Sequence, residues 1–143
     1  MILQLTPNTH PILHEKIKPC SEDLNRREIS RILKENMIHY EGIGLSANQI
    51  GIGERVFVMM LNMETEETIT CFNPRIIKRY NDDVWFEEGC LSFPDEIINI
   101  QRPNRIVVKY EDEDKKDHKI KLDGLAARVF LHEYDHLQGI VFP

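Results

Sequence analysis

The sequence lacks the features that mark secreted and membrane proteins. Its three cysteines form no CxxC pair, and their odd number argues against a disulfide framework. No stretch approaches the roughly 18 apolar residues that a membrane span needs, and no basic segment precedes an apolar run near Met1. We therefore expect a soluble, cytoplasmic protein that makes no membrane contact.

An excess of positive charge is also missing. The chain has 24 acidic and 18 basic residues, which gives a formal net charge of -6. This balance argues against general affinity for nucleic acids, although a net figure does not describe how the charge is distributed. We predict no direct nucleic-acid partner.

The length and the apolar content fit one globular domain. With 143 residues, of which 41% are hydrophobic, the chain can bury a core without disulfide bonds. No linker, internal repeat or low-complexity segment interrupts the sequence. We expect a single domain over residues 1–143.

The apolar spacing predicts an α+β fold. Residues 24–40 have the 3.6-residue apolar rhythm of an amphipathic helix, whereas residues 42–53 hold four of the seven glycines and look too irregular for a regular element. A second helix is expected to begin near Asp123 or Gly124. Several antiparallel strands are predicted between the helices, at residues 55–60, 68–72, 75–80, 97–100, 106–110 and 119–122.

Two histidines at helical spacing indicate a metal site. His132 and His136 are four residues apart, so on a helix both imidazoles point at one ion, and Glu133 lies beside the first. Only seven residues follow His136, which leaves no room for a ligand far downstream. The longer HExxHxxGxxH pattern would need a histidine where Phe142 stands. The third ligand must therefore lie upstream.

Cys90 is the strongest upstream candidate. It follows a strand-like segment and lies between Gly89 and Pro94, a setting that suits a side chain pointing into a cleft. Cys20 and Cys71 are more typical of packed thiols. The remaining histidines have no partner at ligand spacing and are interpreted as surface or locally bonded residues: His10, His14, His39 and His118.

Three motifs, one of which contains Cys90, give the sequence a resemblance to the peptide deformylase family. Residues 42–49 match GxGLxxxQ, residues 88–92 read EGCLS and residues 132–136 match HExDH, in the order of the family. The resemblance spans nearly the whole chain. It implies an α+β fold in which antiparallel sheets pack around a central C-terminal helix that carries HExxH, with an amphipathic helix nearer the N-terminus.

The resemblance implies removal of the formyl group from the N-terminal formyl-methionine of newly made polypeptides. The partners would be formyl-methionyl peptides and nascent chains. One divalent metal ion would be held by Cys90, His132 and His136, and a metal-bound water would attack the formyl carbon with Glu133 as general base and acid. The family points to Fe(II), while a mixed sulfur and nitrogen site is also compatible with Zn(II), Ni(II) or Co(II).

Two further groups would stabilise the reaction, again by resemblance. The side-chain amide of Gln49 and the backbone N–H of Leu91 would donate to the former carbonyl oxygen as it gains negative charge. Each donor is expected to lower the barrier by about 3 kcal/mol.

The methionine side chain needs an apolar pocket. Leu125 and Val129 share the helix face of His132 and can line it, and the resemblance adds Ile43 and Phe86. Backbone groups of three residues are expected to pair with the extended peptide as an added strand, namely Ile43, Gly44 and Gly89.

The sequence departs from the family in the loop and at its end. Ser46 and Asn48 stand where the family more often has other small residues, which changes the loop modestly. Bacterial members usually continue beyond the position of Pro143 with a segment that helps them dock on the ribosome, so we expect no stable docking by that route. The chain resembles compact forms carried by bacteriophages, which would place it in the host cytoplasm.

The same residues argue against two rival functions. A zinc peptidase would need the downstream ligand that is missing, and a noncatalytic metal-stabilised binding module is disfavoured because Glu133 and Gln49 are both present. Arg102 is expected to pair with a nearby carboxylate such as Glu88 rather than to bind peptide. The charged run at residues 111–117 is interpreted as a solvated hairpin tip.

Overall fold

The fold is known from a computed structural model that describes residues 1–141. Phe142, the residue compared above with a motif histidine, and Pro143 lie outside the described residues. Within residues 1–141 there are two α-helices, α1 (Arg26–His39) and α2 (Gly124–Leu137). Neither helix is long and apolar enough to cross a membrane.

In the described part of the chain, seven strands form two antiparallel sheets, which confirms the predicted α+β class. The larger sheet has the order β1-β2-β3-β6-β7, and β4 pairs with β5 in a separate two-stranded sheet. The strands are β1 (Gly44–Ser46), β2 (Val56–Asn62), β3 (Glu67–Arg79), β4 (Asp83–Cys90), β5 (Phe93–Pro103), β6 (Arg105–Glu111) and β7 (Asp117–Asp123).

The two helices pack on opposite faces of the larger sheet. Alternation along β2 sends Val56 and Val58 toward α1, and Phe57 and Met59 toward α2. On the α2 side the core also contains Phe130, whose ring meets that of Phe57 edge-on at 5.1 Å. α1 covers β1 to β3, while the α2 core extends across β6 and β7. The far half of the α1-side face is therefore open to solvent.

Some boundaries differ from the predictions. The glycine-rich stretch was expected to lack regular structure, which is wrong, because Gly44 pairs with Met59 in β1 and a 3-10 turn spans Ala47–Ile50. β4 was not predicted as an element of its own, since its exposed residues show no simple alternation. β5 extends well beyond the predicted residues 97–100.

Other predictions agree with the structure. α1 lies inside the predicted segment 24–40, and near the N-terminus a 3-10 turn spans Pro11–His14. The charged run at residues 111–117 forms the turn between β6 and β7. Cys71 is fully buried and Cys20 partly buried, as expected for packed thiols.

Buried Arg55 joins the N-terminal segment to the end of α2. Its Nη1 donates to the carbonyls of Ile17 at 2.9 Å and Leu137 at 3.1 Å, and its Nη2 donates to the side chain of Gln138. The carbonyls at a helix C-terminus carry partial negative charge, so a cation there is stabilising. The guanidinium also lies over the ring of Tyr134.

We expect Arg55→Met to lower the free energy of unfolding by about 2–4 kcal/mol, because it removes the Arg55 donor from the Ile17 carbonyl and leaves the Leu137 carbonyl with only the N–H of Ile17. Arg79→Met, at an exposed position of β3, is the matched control and should stay within about 0.5 kcal/mol of the wild type. Urea denaturation followed by circular dichroism measures both. Equal losses in the two variants would contradict the anchoring role of Arg55.

Candidate metal centre

The structure brings three ligand atoms together at the meeting point of β4 and α2. Cys90 ends β4, while His132 and His136 lie one turn apart on α2. The Nε2 atom of His136 is 3.3 Å from the Cys90 Sγ and 3.2 Å from the His132 Nε2, and the three ligand atoms all lie within 4.8 Å of one another. Among residues 1–141 this is the one such cluster found.

These distances fit a metal ion. A tetrahedral site with ordinary Zn–N and Zn–S bond lengths has ligand-to-ligand separations of roughly 3.3–3.6 Å. The donor set of one thiol and two imidazoles also leaves a fourth position, as catalytic sites do. The residues present could therefore hold a divalent ion without rearrangement of α2.

Burial sets the state of His136. The side chain is 1% exposed, and burial together with the charges of His132 and Arg102 lowers its pKa to about 3. A neutral imidazole is the form that binds metal ions. Burial also acts to lower the pKa of His132, but hydrogen bonds with Cys90 and Glu88 outweigh it and raise the pKa to about 10.

Buried Glu88 orients His132. Its carboxylate lies 3.1 Å from the His132 Nδ1, the ring nitrogen that does not face the other ligands. The same carboxylate accepts two bonds from Arg102, at 2.6 and 3.0 Å, and one from Arg128 at 2.5 Å. Burial raises the pKa of Glu88, but the bonds from these three residues outweigh it and hold the pKa at about 2. The predicted pairing of Arg102 with Glu88 is confirmed.

Glu133 is the second buried carboxyl group of the site. It is 4% exposed, and within residues 1–141 its Oε1 has no hydrogen-bond partner. Burial is the main cause that raises the pKa of Glu133, to about 7. The backbone of Gly44 lies so close that an added Cβ would be 2.7 Å from the Glu133 Oε2. An uncompensated buried oxygen is costly unless a ligand uses it.

The Gln49 amide is held in a fixed orientation. Its Oε1 accepts from the backbone N–H and the hydroxyl of Ser46, both at 3.0 Å. Its Nε2 donates to the hydroxyl of Ser92 at 3.0 Å and lies 3.7 Å from the Cys90 Sγ. Ser46, which seemed a modest loop change in the sequence, thus fixes which way the amide points.

A cleft of about 450 Å³ opens beside the three ligand atoms. Of the residues predicted for the site, only the deeply buried His136 does not line it. The cleft walls contain the predicted residues Ile43, Gly44, Gln49, Phe86, Gly89, Cys90, Leu91, Leu125, Val129, His132 and Glu133.

Comparison with known proteins identifies the family. The model of the polypeptide deformylase family matches residues 2–143. The chain belongs to this family. It is 40% identical over 133 residues to a peptide deformylase of Thermotoga sp. strain RQ2, covering 92% of this chain and 79% of that protein.

Two solved deformylase structures share the fold. A peptide deformylase from Thermotoga maritima superposes with a TM-score of 0.92 at 37% identity, covering 99% of this chain and 95% of that one. A probable peptide deformylase from Synechococcus phage S-SSM7 gives a TM-score of 0.88 at 38% identity, covering 98% and 97%.

Sequence reasoning missed several residues that support the deformylase site. Ser92 is the last residue of the EGCLS motif and Arg128 lies four residues before His132, but nothing in their spacing shows that they bond Gln49 and Glu88. Asn48 was noted only as a departure. It is fully buried, and its Nδ2 donates to the backbone carbonyl of His136 at 2.8 Å. Asn48 thus ties the turn that carries Gln49 to the backbone of a predicted ligand.

We expect Asn48→Ala to weaken metal binding by roughly tenfold, because groups that support a metal ligand typically contribute that much. Asn36→Ala is the matched control, since Asn36 is an equally buried amide that bonds Leu3, Met1 and Ile32 far from the site. Titration of each metal-free protein with Co(II), followed by thiolate absorption, measures the affinity. An equal loss in the two variants would show a general structural effect instead.

Proposed function

We propose that residues 1–143 act as one cytoplasmic catalytic domain that removes the N-formyl group from the formyl-methionine of newly made polypeptides and releases formate. Membership of the deformylase family supports this reaction. The observation that carries the proposal is that three converging ligand atoms lie beside an open cleft lined by Glu133, whose Oε1 has no hydrogen-bond partner within residues 1–141.

Cys90, His132 and His136 are proposed to hold one divalent metal ion. When bound, the ion would act as a Lewis acid that polarises the formyl group and lowers the pKa of water. We propose Fe(II) as the native ion, with Zn(II), Ni(II) or Co(II) as alternatives that the same sulfur and nitrogen donors accept. Glu88 keeps the His132 ring in the orientation that presents Nε2 to the ion.

Glu133 is proposed to move the protons of the reaction. Glu133 lines the cleft, and its Oε1 has no hydrogen-bond partner within residues 1–141, so it is available to accept a proton from the attacking water. The raised pKa of this buried carboxyl, about 7, suits a group that takes a proton and then gives it to the departing amine. The proton taken from water is thus the proton given to the departing amine, so the protons of the amide hydrolysis balance on one side chain.

The donors to the former carbonyl oxygen are proposed to be Gln49 and Leu91. The Gln49 Nε2 is aimed along the Cys90 side of the cleft by its bonds to Ser46 and Ser92. Leu91 follows Cys90 directly, so its backbone N–H enters the same region. Donors that are fixed before the reaction stabilise the developing charge without reorganisation.

The methionine side chain is proposed to enter the apolar part of the cleft. Ile43, Phe86 and Leu125 are all at least 36% exposed although they are large and apolar, while Val129 is buried at the base. Exposed apolar side chains that surround a concave site are typical of ligand pockets. The formyl group, the smallest acyl group, is selected by the crowded region near Gly44 and Glu133.

The peptide backbone is proposed to run between β1 and β4. The carbonyl of Ile43 already accepts from the Met60 N–H at 2.8 Å, so ladder alternation turns the polar groups of Gly44 toward the open edge. On the other wall Gly89 pairs with Ile97 of β5 only, which leaves the second edge of β4 facing the cleft. A bound peptide can add a strand between these edges.

Formate release from formyl-Met-Ala-Ser by anaerobically purified, metal-analysed protein tests the function. We expect Glu133→Ala to lower kcat by at least a factor of about 100 while the metal stays bound, because the proton acceptor is lost. Cys90→Ala should lose both metal and activity. Activity that survives in the Glu133 variant would rule out the proposed base.

The same assay separates the rival functions. A metal-loaded wild type that releases no formate but cleaves N-blocked, unformylated peptides would be a peptidase. A protein that binds metal, stays folded and hydrolyses neither substrate would be a metal-stabilised binding module.

The close approach of Gly44 to Glu133 gives a second test of the base. We expect Gly44→Ala to lower kcat by roughly tenfold or more, because the new methyl group displaces the Glu133 carboxylate and the Val129 side chain. Gly89→Ala is the control on the facing wall, since an added Cβ there meets nothing within 4 Å. Kinetics with formyl-Met-Ala-Ser measure both. A retained kcat in Gly44→Ala would contradict the placement of Glu133.

A further inference from the structure

A cluster of cations covers the part of the larger sheet that α1 leaves open. The inner positions of β6 and β7, such as Val108 and Leu122, pack on the α2 side, so the alternate residues face outward. Six of the chain's 18 lysines and arginines fall on this outer side, on three neighbouring strands. We name this surface the basic face; it consists of Arg75, Lys78, Arg105, Lys109, Lys119 and Lys121.

Like charges lie directly opposite one another across the basic face. Lys109 of β6 has Arg75 of β3 as its Cα partner on one side and Lys119 of β7 on the other. In the next row, Lys78 and Lys121 flank Val107. Directly opposed like charges destabilise an antiparallel sheet. A local feature that costs stability without compensation points to a function rather than to folding.

Most of these cations have no anionic partner within residues 1–141. In the part of the chain that the structure describes, no ion pair or side-chain hydrogen bond involves Arg75, Lys109 or Lys119. Lys78 and Lys121 only approach the ring of Tyr80, at 4.4 and 5.2 Å from its centroid. Arg105 is the exception, since it pairs with Asp82 at 2.6 Å. In contrast, arginines elsewhere, such as Arg26, Arg102 and Arg128, are paired with carboxylates.

We infer that the basic face binds the phosphate backbone of RNA. A Lys-rich surface that is poor in large apolar groups suits sequence-independent contact with phosphates. Protein interfaces are depleted in Lys at their centres, which disfavours an acidic protein partner. Stable attachment to a lipid surface needs apolar anchors, and Val107, at the centre of the face, is only a small, half-buried side chain.

The basic face lies across the sheet from α2, so RNA bound there leaves the cleft open. The sequence-based expectation of no nucleic-acid contact rested on the net charge of -6. Cross-strand pairing instead brings six cations together on one side, a distribution that the net figure does not reveal. The carboxylates on the same side, Glu111, Asp117 and Asp123, lie at the ends of β6 and β7, so the centre around Lys109 and Lys119 stays basic. The inference goes beyond the proposed deformylase activity and does not depend on it.

The test compares two variants with the same change of charge. Lys109→Gln/Lys119→Gln removes the central pair, and Lys18→Gln/Lys34→Gln removes two lysines elsewhere. Fluorescence anisotropy with a labelled single-stranded oligouridine of ~20 nucleotides measures binding at several salt concentrations. We expect the first variant to bind roughly tenfold more weakly at low salt, and its slope of log K against log salt to fall by about 1.4.

Catalytic activity and thermal stability of the two variants serve as controls. Formate release from formyl-Met-Ala-Ser should be unchanged in both variants, which separates a loss of RNA binding from a failure of the proposed function. The melting temperature of Lys109→Gln/Lys119→Gln should equal or exceed that of the wild type, because a repulsion is removed. A lower melting temperature would show that these lysines have stabilising partners and would contradict the premise.

Three other outcomes would overturn the inference. Equal RNA affinity in both variants would show that the basic face is not the binding surface. If the wild type fails to bind RNA at low salt, RNA is excluded as the ligand of the basic face. Binding to phosphatidylserine vesicles that is lost in Lys109→Gln/Lys119→Gln, without any change in RNA affinity, would assign the face to a membrane instead.

Discussion

The buried carboxylate of Glu88 is the interaction on which the site depends. β4 and β5 form a sheet of their own, so backbone pairing does not fix them relative to α2. Glu88 makes that connection, because it bonds Arg128 and His132 from α2 and Arg102 from β5, while Arg102 also reaches Asp135. A buried carboxylate with several cationic donors loses much if any partner is removed. The position of Cys90, two residues further along β4, follows from this cluster.

The sequence allowed prediction of those parts of the site that depend on local spacing. The pitch of one helix places His132 and His136 on the same face, with Glu133 beside the first. Cys90 was found because Gly89 and Pro94 flank its segment. The bond from Ser46 reaches Gln49, only 3 positions away. Asn48 bonds His136, 88 positions away, and Arg128 bonds Glu88, 40 positions away, so these two contacts depend on the order of the strands.

The strands with a strong apolar pattern were also predicted from the sequence, whereas two other strands were not. β6 was placed well because its apolar residues alternate over one buried face, and β2 because both of its faces are buried, which gives a continuous apolar run. β4 carries mostly exposed residues, and β1 has only three residues and depends on pairing with β2, so neither has a local signature. The predictions about ribosome docking and the native metal stay predictions.

The contacts around α2 also determine when the protein can become active. The helix contributes two of the three ligand atoms, and its end is fastened back to the start of the chain by the bond from Ile17 to Leu137. Until α2 docks, Phe57, Met59, Ile106 and Val108 lack their cover, and such exposed apolar surface favours aggregation. Because residues 124–137 are synthesised after every strand, a chain still being translated has an unfinished core and no complete ligand set. Docking of α2 onto the sheet is therefore the single step that completes both the core and the candidate metal site.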